Sequence, residues 1–267
     1  MPISDYRPPV AQLLALGDPL DGLDDISYRE LGLSETDVPE LCRLAQAGTL
    51  YDDEANDLEV YASVHAWRAL GELRAEAAVA PLIGEFHHAE LADWVAEELP
   101  AIFGRIGATA IASLAAYLED ANNGVWARSI AMSSLTAITQ TFPETRDRCV
   151  AILSGELARF AERDALLNAL LIGELSSLAA VEAAPLMEKA FAAQAVELPV
   201  SGDWEDVQIE LGLLQQRLTP RPNYFLEYGL PSYQESASNP SKTATNKAKK
   251  AKRKQQAKSR QRNRKKK

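Results

Sequence analysis

Apolar residues recur at helical spacing through the middle of the chain. In VYASVHAWRALGEL, residues 60–73, Val60, Val64, Trp67, Leu70 and Leu73 fall on one stripe. That spacing predicts an amphipathic helix with a single buried face. Val79, Leu82, Ile83 and Phe86 form a second stripe, and the intervening RAEAA is short enough to join the two as an antiparallel pair. From about Leu58 to Ala193 the chain is rich in Ala, Leu, Glu and Arg, residues that lose little side-chain freedom in a helix. No stretch alternates with period two for long enough to predict a strand.

The pattern repeats. HAWRALGELRAEAAVAPLIGEF, LPAIFGRIGATAIASLAAYL and LLIGELSSLAAVEAAPLMEKAF can be laid over one another. Each has an apolar pair before Gly71, Gly104 or Gly173, then an apolar residue two places later (Leu73, Ile106, Leu175). A turn of small residues follows, and then a second helix carrying Leu82, Leu114 or Leu186. A weaker copy, SSLTAITQTFPETRDRCVAIL, has Ala137 where the others have glycine, so the spacings are 33, 33 and 36 residues. A two-helix unit recurring at this interval is the signature of an α-solenoid, in which each unit buries its apolar face against its neighbours.

ALGELRAEAAVAPL and FGRIGATAIASL resemble the helix-turn-helix core of HEAT-repeat proteins, in the short bacterial form also found in phycobilisome-lyase-like proteins. The resemblance spans about 65–193 and implies an all-α, right-handed superhelix of HEAT-like hairpins. It implies fold more than activity, and no site residue of a lyase can be carried onto this sequence.

The flanks differ. Residues 1–57 are strongly acidic, with Arg7, Arg29 and Arg43 as their only bases. RPPVAQLLALGDP predicts a short helix closed by Gly17 and Pro19, and SETDVPELCRLAQAG one that begins near Asp37 and ends before Gly48. This region is expected to form an N-terminal helical cap for the repeats at 58–193. In 194–235, Asp203 reads as an N-cap with Asp206 completing a capping box. Val207, Leu211 and Leu214 would then face the body, with PRPNYFLEYGLPSYQ as an extended strap over that helix.

Charge divides the chain more sharply than hydropathy does. The protein has 38 acidic and 28 basic residues, a net charge of −10. Fourteen of the basic residues lie in 242–267, which holds no acid, so the tail is +14 and the remainder −24. The segment 236–267 has no hydrophobic side chain larger than alanine apart from one proline, which predicts a disordered, Lys/Arg-rich arm. Lys249, Lys250, Lys252, Arg253, Lys254, Lys258, Arg260, Arg262, Arg264, Lys265, Lys266 and Lys267 are the candidate nucleic-acid contacts. With no aromatic side chain to stack on bases, contact with RNA or DNA would follow the phosphate backbone and be unspecific.

Catalytic and metal patterns are sparse. His65, His87 and His88 lack the companions of a zinc site, and no EF-hand spacing orders the acids of YDDEANDLEV or GDWEDVQIE. Phosphate-binding glycine loops and a nucleophile elbow are missing. Cys149, in RDRCVAIL, lies on a helical apolar stripe and reads as a buried structural cysteine. Trp67 and Trp94 read as core packing, and Trp204, among acids at a helix start, is the candidate protein contact. No cofactor is implied.

Two cysteines, no basic leader before an apolar run and no long uncharged apolar stretch together imply a cytoplasmic protein without a membrane span. The expected role is a non-catalytic scaffold, with the acidic body gripping a basic protein or peptide and the tail touching a polyanion such as RNA. The alternatives are an adaptor regulated by its own tail and a lyase-like or chaperone-like role in chromophore or cofactor attachment.

Overall fold

The computed structural model describes residues 5–20, 26–50 and 58–224. Among these, every regular element is helical. The α-helices are α1 (Val38–Ala45), α2 (Ala62–Glu72), α3 (Val79–Gly84), α4 (Asp93–Ile106), α5 (Ile111–Glu119) and α6 (Val125–Thr141). They continue as α7 (Arg146–Leu157), α8 (Ala165–Ser177), α9 (Ala184–Ala192), α10 (Leu198–Ser201) and α11 (Trp204–Glu210). Single turns of 3₁₀-helix precede many of them, where the chain tightens before the α-helical hydrogen bonds begin.

The helices pack in two rows. α2 packs on α4, α4 on α6, α6 on α8 and α8 on α10; α3 packs on α5, α5 on α7, α7 on α9 and α9 on α11. Contacts of α5 with α6 and of α7 with α8 tie the rows together, and α1 lies against both α2 and α3. Between the rows runs the apolar core. Val64, Trp67 and Leu70 of α2 are fully buried, as are Leu99 and Phe103 of α4, Leu135 and Ile138 of α6, and Leu171, Ile172 and Leu175 of α8. Phe86 meets Phe103 and Tyr117 edge-on, with ring centroids 5.6 and 5.2 Å apart.

Small residues set how closely the first row packs. A Cβ on Gly71 would stand 3.2 Å from Ile102, and one on Gly104 would stand 3.0 Å from the carbonyl oxygen of Ala137. Gly104 thus faces the alanine that the sequence alignment sets at the matching position. At Gly173 the pattern lapses, since an added Cβ would meet nothing within 4 Å.

The helix ends also recur. The N–H of Ala75 bonds the carbonyl of Leu70 while that of Arg74 bonds Gly71, and the same pair of bonds closes α8 through Ala180 and Ala179. These are Schellman ends whose left-handed residue is usually glycine. Here Arg74 and Ala179 take it at φ 53° and 49°.

Two local expectations shift. In α9 it is Met187 that is fully buried, while Leu186, aligned with Leu82 and Leu114, is half-buried. The C-terminal helix stops at Glu210, before Leu214, because Gly212 turns the chain with φ 73°. At the N-terminal end, Val10–Ala15 forms a 3₁₀-helix, and Ser34 and Asp37 make a reciprocal capping box just before α1.

Candidate functional site

On the α2–α4 side lies a cleft of about 440 Å³, lined in part by Ser27, Tyr28, Ala101, Ile102 and Arg105. Arg68 of α2 and Glu98 of α4 form a two-pronged pair across its wall, with Nε to Oε2 and Nη2 to Oε1 both 2.9 Å. That geometry matches the planar guanidinium to the planar carboxylate. Glu72 faces the N-terminal segment. It accepts from Ser27 Oγ at 3.0 Å and from the N–H groups of Tyr28 and Arg29 at 2.8 and 3.1 Å. Burial works against its charge, but those donors outweigh it and hold the carboxyl below the usual range. The exposed Arg105 has no ion pair among the described residues and presents its charge at the cleft. Further along the row, Ser133 of α6 donates to Glu174 of α8.

At the other end of the body, acids at the start of α11 do two jobs. Asp203 and Asp206 form the capping box, each side chain accepting from the other residue's N–H. They also hold Arg217, whose Nη1 lies 2.8 Å from Asp203 Oδ1 and 2.7 Å from Asp206 Oδ1. Arg221 reaches Asp206 Oδ1 at 3.2 Å, and Glu205 accepts from the N–H groups of Leu218 and Thr219 at 3.0 and 3.1 Å. Hydrogen bonding to Arg217 keeps the Asp203 carboxyl below its ordinary value despite partial burial. Trp204, the predicted protein contact, is half-buried, with its ring 5.8 Å from that of Phe191. Trp126 is 49% exposed.

A third charged group lies inside. Glu156 Oε2 accepts from Arg128 at 3.0 Å and Arg163 at 2.7 Å, with all three side chains nearly buried. Arg128 also donates to the carbonyl of Leu118 at 2.7 Å. Burial, and then the proximity of Arg163, pull the Arg128 pKa down. This network ties α6, α7 and the turn after α7 together.

The remaining polar residues serve packing. His65 is fully buried, and both ring nitrogens are hydrogen-bonded. Glu85 is buried 3.4 Å from His88 Nδ1, and desolvation pushes its pKa up to about 7. Cys149 is fully buried, Cys42 is half-buried, and burial raises both thiol pKa values. Trp67 donates to the carbonyl of Ala45 at 3.0 Å, and Trp94 meets Tyr61 edge-on. Among the described residues no three His, Cys, Asp or Glu side chains converge as metal ligands, and no single helix is long and apolar enough to cross a membrane.

The twelve tail cations from Lys249 to Lys267, and the acids of 51–57, lie outside the described residues. Of the other predicted positions, Asp203 and Asp206 come together, and Arg217 joins them from fourteen residues away. Nothing in the spacing of GDWEDVQIE signals that third member. No protein-family model, curated protein or solved structure matches the chain.

Proposed function

We propose that the protein is a non-catalytic scaffold, a solenoid of HEAT-like hairpins whose acidic body binds a basic protein or peptide. Its cationic tail, in this reading, contacts a polyanion such as RNA. The observation that carries the proposal is the division of charge, −24 for residues 1–241 against +14 for 242–267. The helix order supports the body's part in it, because alternate helices pack on one another along the chain, as stacked two-helix units would. Beside α2 and α4, Arg68, Glu72, Glu98 and Arg105 line one cleft, and Arg105 has no ion pair among the described residues. Opposite charge on a partner would speed encounter and set register.

The test is co-purification of the full chain and of a version ending at Ser241, each with and without nuclease, across a salt series. The proposal expects a polyanion that leaves with the tail or with nuclease, and a protein partner that stays with the body and dissociates as salt rises. Retention of every partner by the shortened chain at unchanged salt sensitivity would overturn the tail's role. Absence of any body-bound protein at low salt would overturn the body's role.

One structural observation favours a second reading, an adaptor regulated by its own basic segment. Arg217 and Arg221 show this acidic surface holding arginines of the same chain. Under that reading, removing the tail strengthens binding of a basic partner.

A further inference from the structure

The last described helices, α10 and α11, lie at the C-terminal end of the body. There a groove of about 730 Å³ runs between α10, α11 and the segment that follows them. Leu198, Val200 and Ile209 line its helical side, and Pro222 and Tyr224 line the other. We propose that residues 217–224 are an electrostatically latched strap that forms one wall of this groove and lifts away when the latch is neutralised or screened.

The attachment is ionic. Arg217 is held by Asp203 and Asp206, Arg221 by Asp206, and the Leu218 and Thr219 N–H groups by Glu205. Three carboxylates therefore supply the contacts that pin 217–221 to the body. Apolar packing contributes little there, since the Leu218 side chain points to solvent and is 77% exposed. From Leu213 to Asn223 the chain forms no helix or strand. The body behind the strap is held instead by fully buried side chains such as Met187 and Val207.

These two kinds of attachment respond differently to salt. Ion pairs at partly exposed positions are screened over about 10 Å at 0.1 M ionic strength, whereas apolar burial is not weakened in that way. The strap is then the first part of this end to open, and opening removes one wall of the groove. This inference goes beyond the scaffold reading and is independent of what the tail binds.

The Arg217–Leu218 bond reports the strap directly, since trypsin cleaves after arginine and Pro222 blocks cleavage after Arg221. The full chain is digested at low salt and at 1 M NaCl, with a fluorogenic arginine peptide in the same tube to correct for protease activity. Fragment masses identify cleavage after Arg217. The expected result is slow cleavage at low salt and about a tenfold rise at high salt. The double substitution Asp203→Asn, Asp206→Asn is expected to give the fast rate already at low salt. Because that variant loses a helix cap, Glu205→Gln, which keeps the cap, is run beside it and is expected to fall between. Circular dichroism confirms that the body remains helical. Equal cleavage at both salt concentrations in the unaltered chain, whether fast or slow, overturns the latch. So does an unchanged low-salt rate in both variants.

Discussion

The phenol of Tyr28 donates to Nδ1 of His65 across 2.9 Å, while Nε2 of the same ring lies 2.9 Å from the carbonyl oxygen of Gly17. A carbonyl can only accept, so Nε2 carries the proton and Nδ1 accepts. One neutral imidazole thus joins two N-terminal segments to α2. Burial lowers its pKa from 6.5. The unfolded chain therefore binds this proton more readily than the folded chain, and stability is lost as pH falls from about 6.5 through the lower folded value. Urea denaturation between pH 7.5 and 5 is expected to show that loss, and Tyr28→Phe is expected to cost about 1–3 kcal/mol at pH 7.5 by leaving Nδ1 without its donor.

Glu85 works in the opposite direction. Its folded pKa of about 7 lies above the unfolded value of 4.5, so the folded chain holds the proton more tightly. Its contribution is fully present below about pH 4.5 and is lost as pH rises towards 7. Glu85→Gln is expected to be more stable than the parent at pH 8 and to lose that advantage at pH 5. Denaturation midpoints at the two pH values check the sign.

The first row of helices predicts opposite outcomes for two glycines. Gly104→Val drives a branched side chain against the Ala137 carbonyl, 3.0 Å from where its Cβ would sit. The expected cost is about 2 kcal/mol. Gly173→Ala meets no neighbour within 4 Å and is expected to gain about 0.5–1 kcal/mol through helix propensity. The thermal midpoint should fall by roughly 4–8 °C for Gly104→Val and rise by roughly 1–4 °C for Gly173→Ala.

At the end of α8, Ala179 holds a left-handed conformation at φ 49°. Ala179→Gly relieves it and is expected to stabilise by about 0.5–1 kcal/mol. A loss of stability on this substitution would show that the Schellman end is not formed.

Glu156 is a costly charge to remove. Its carboxylate is shared by the buried Arg128 and Arg163. Glu156→Ala leaves two buried cations facing each other and is expected to destabilise by about 3–5 kcal/mol. Adding Arg128→Met should recover part of that loss, and a double-mutant cycle measures how much.

Much of this was legible in the residue order where the cause is local. The stripe of Val64, Trp67 and Leu70 marks α2, and all three are buried. Asp203 and Asp206 mark the start of α11, since a cap needs only residues three apart. The alignment of positions 71, 104 and 173 placed a glycine in each of three helices. It did not distinguish Gly104, pressed on Ala137, from Gly173, which faces open space. Trp204 is half-buried beside Phe191, and its acidic neighbours are engaged by Arg217, a partner that no local spacing marks.

By itself the order of amino acids determined helical class, several helix ends and the separation of an acidic stretch from a basic one. Periodicity, capping and charge composition act within a few residues or sum over the whole chain. Only the tertiary structure decided that Glu72 pins Tyr28 and Arg29, that Glu156 joins Arg128 to Arg163, and that Asp203 closes on Arg217. Those pairings span 7 to 44 positions and depend on which helices, turns and loops meet. That geometry is set by packing, which leaves no periodic trace in the chain.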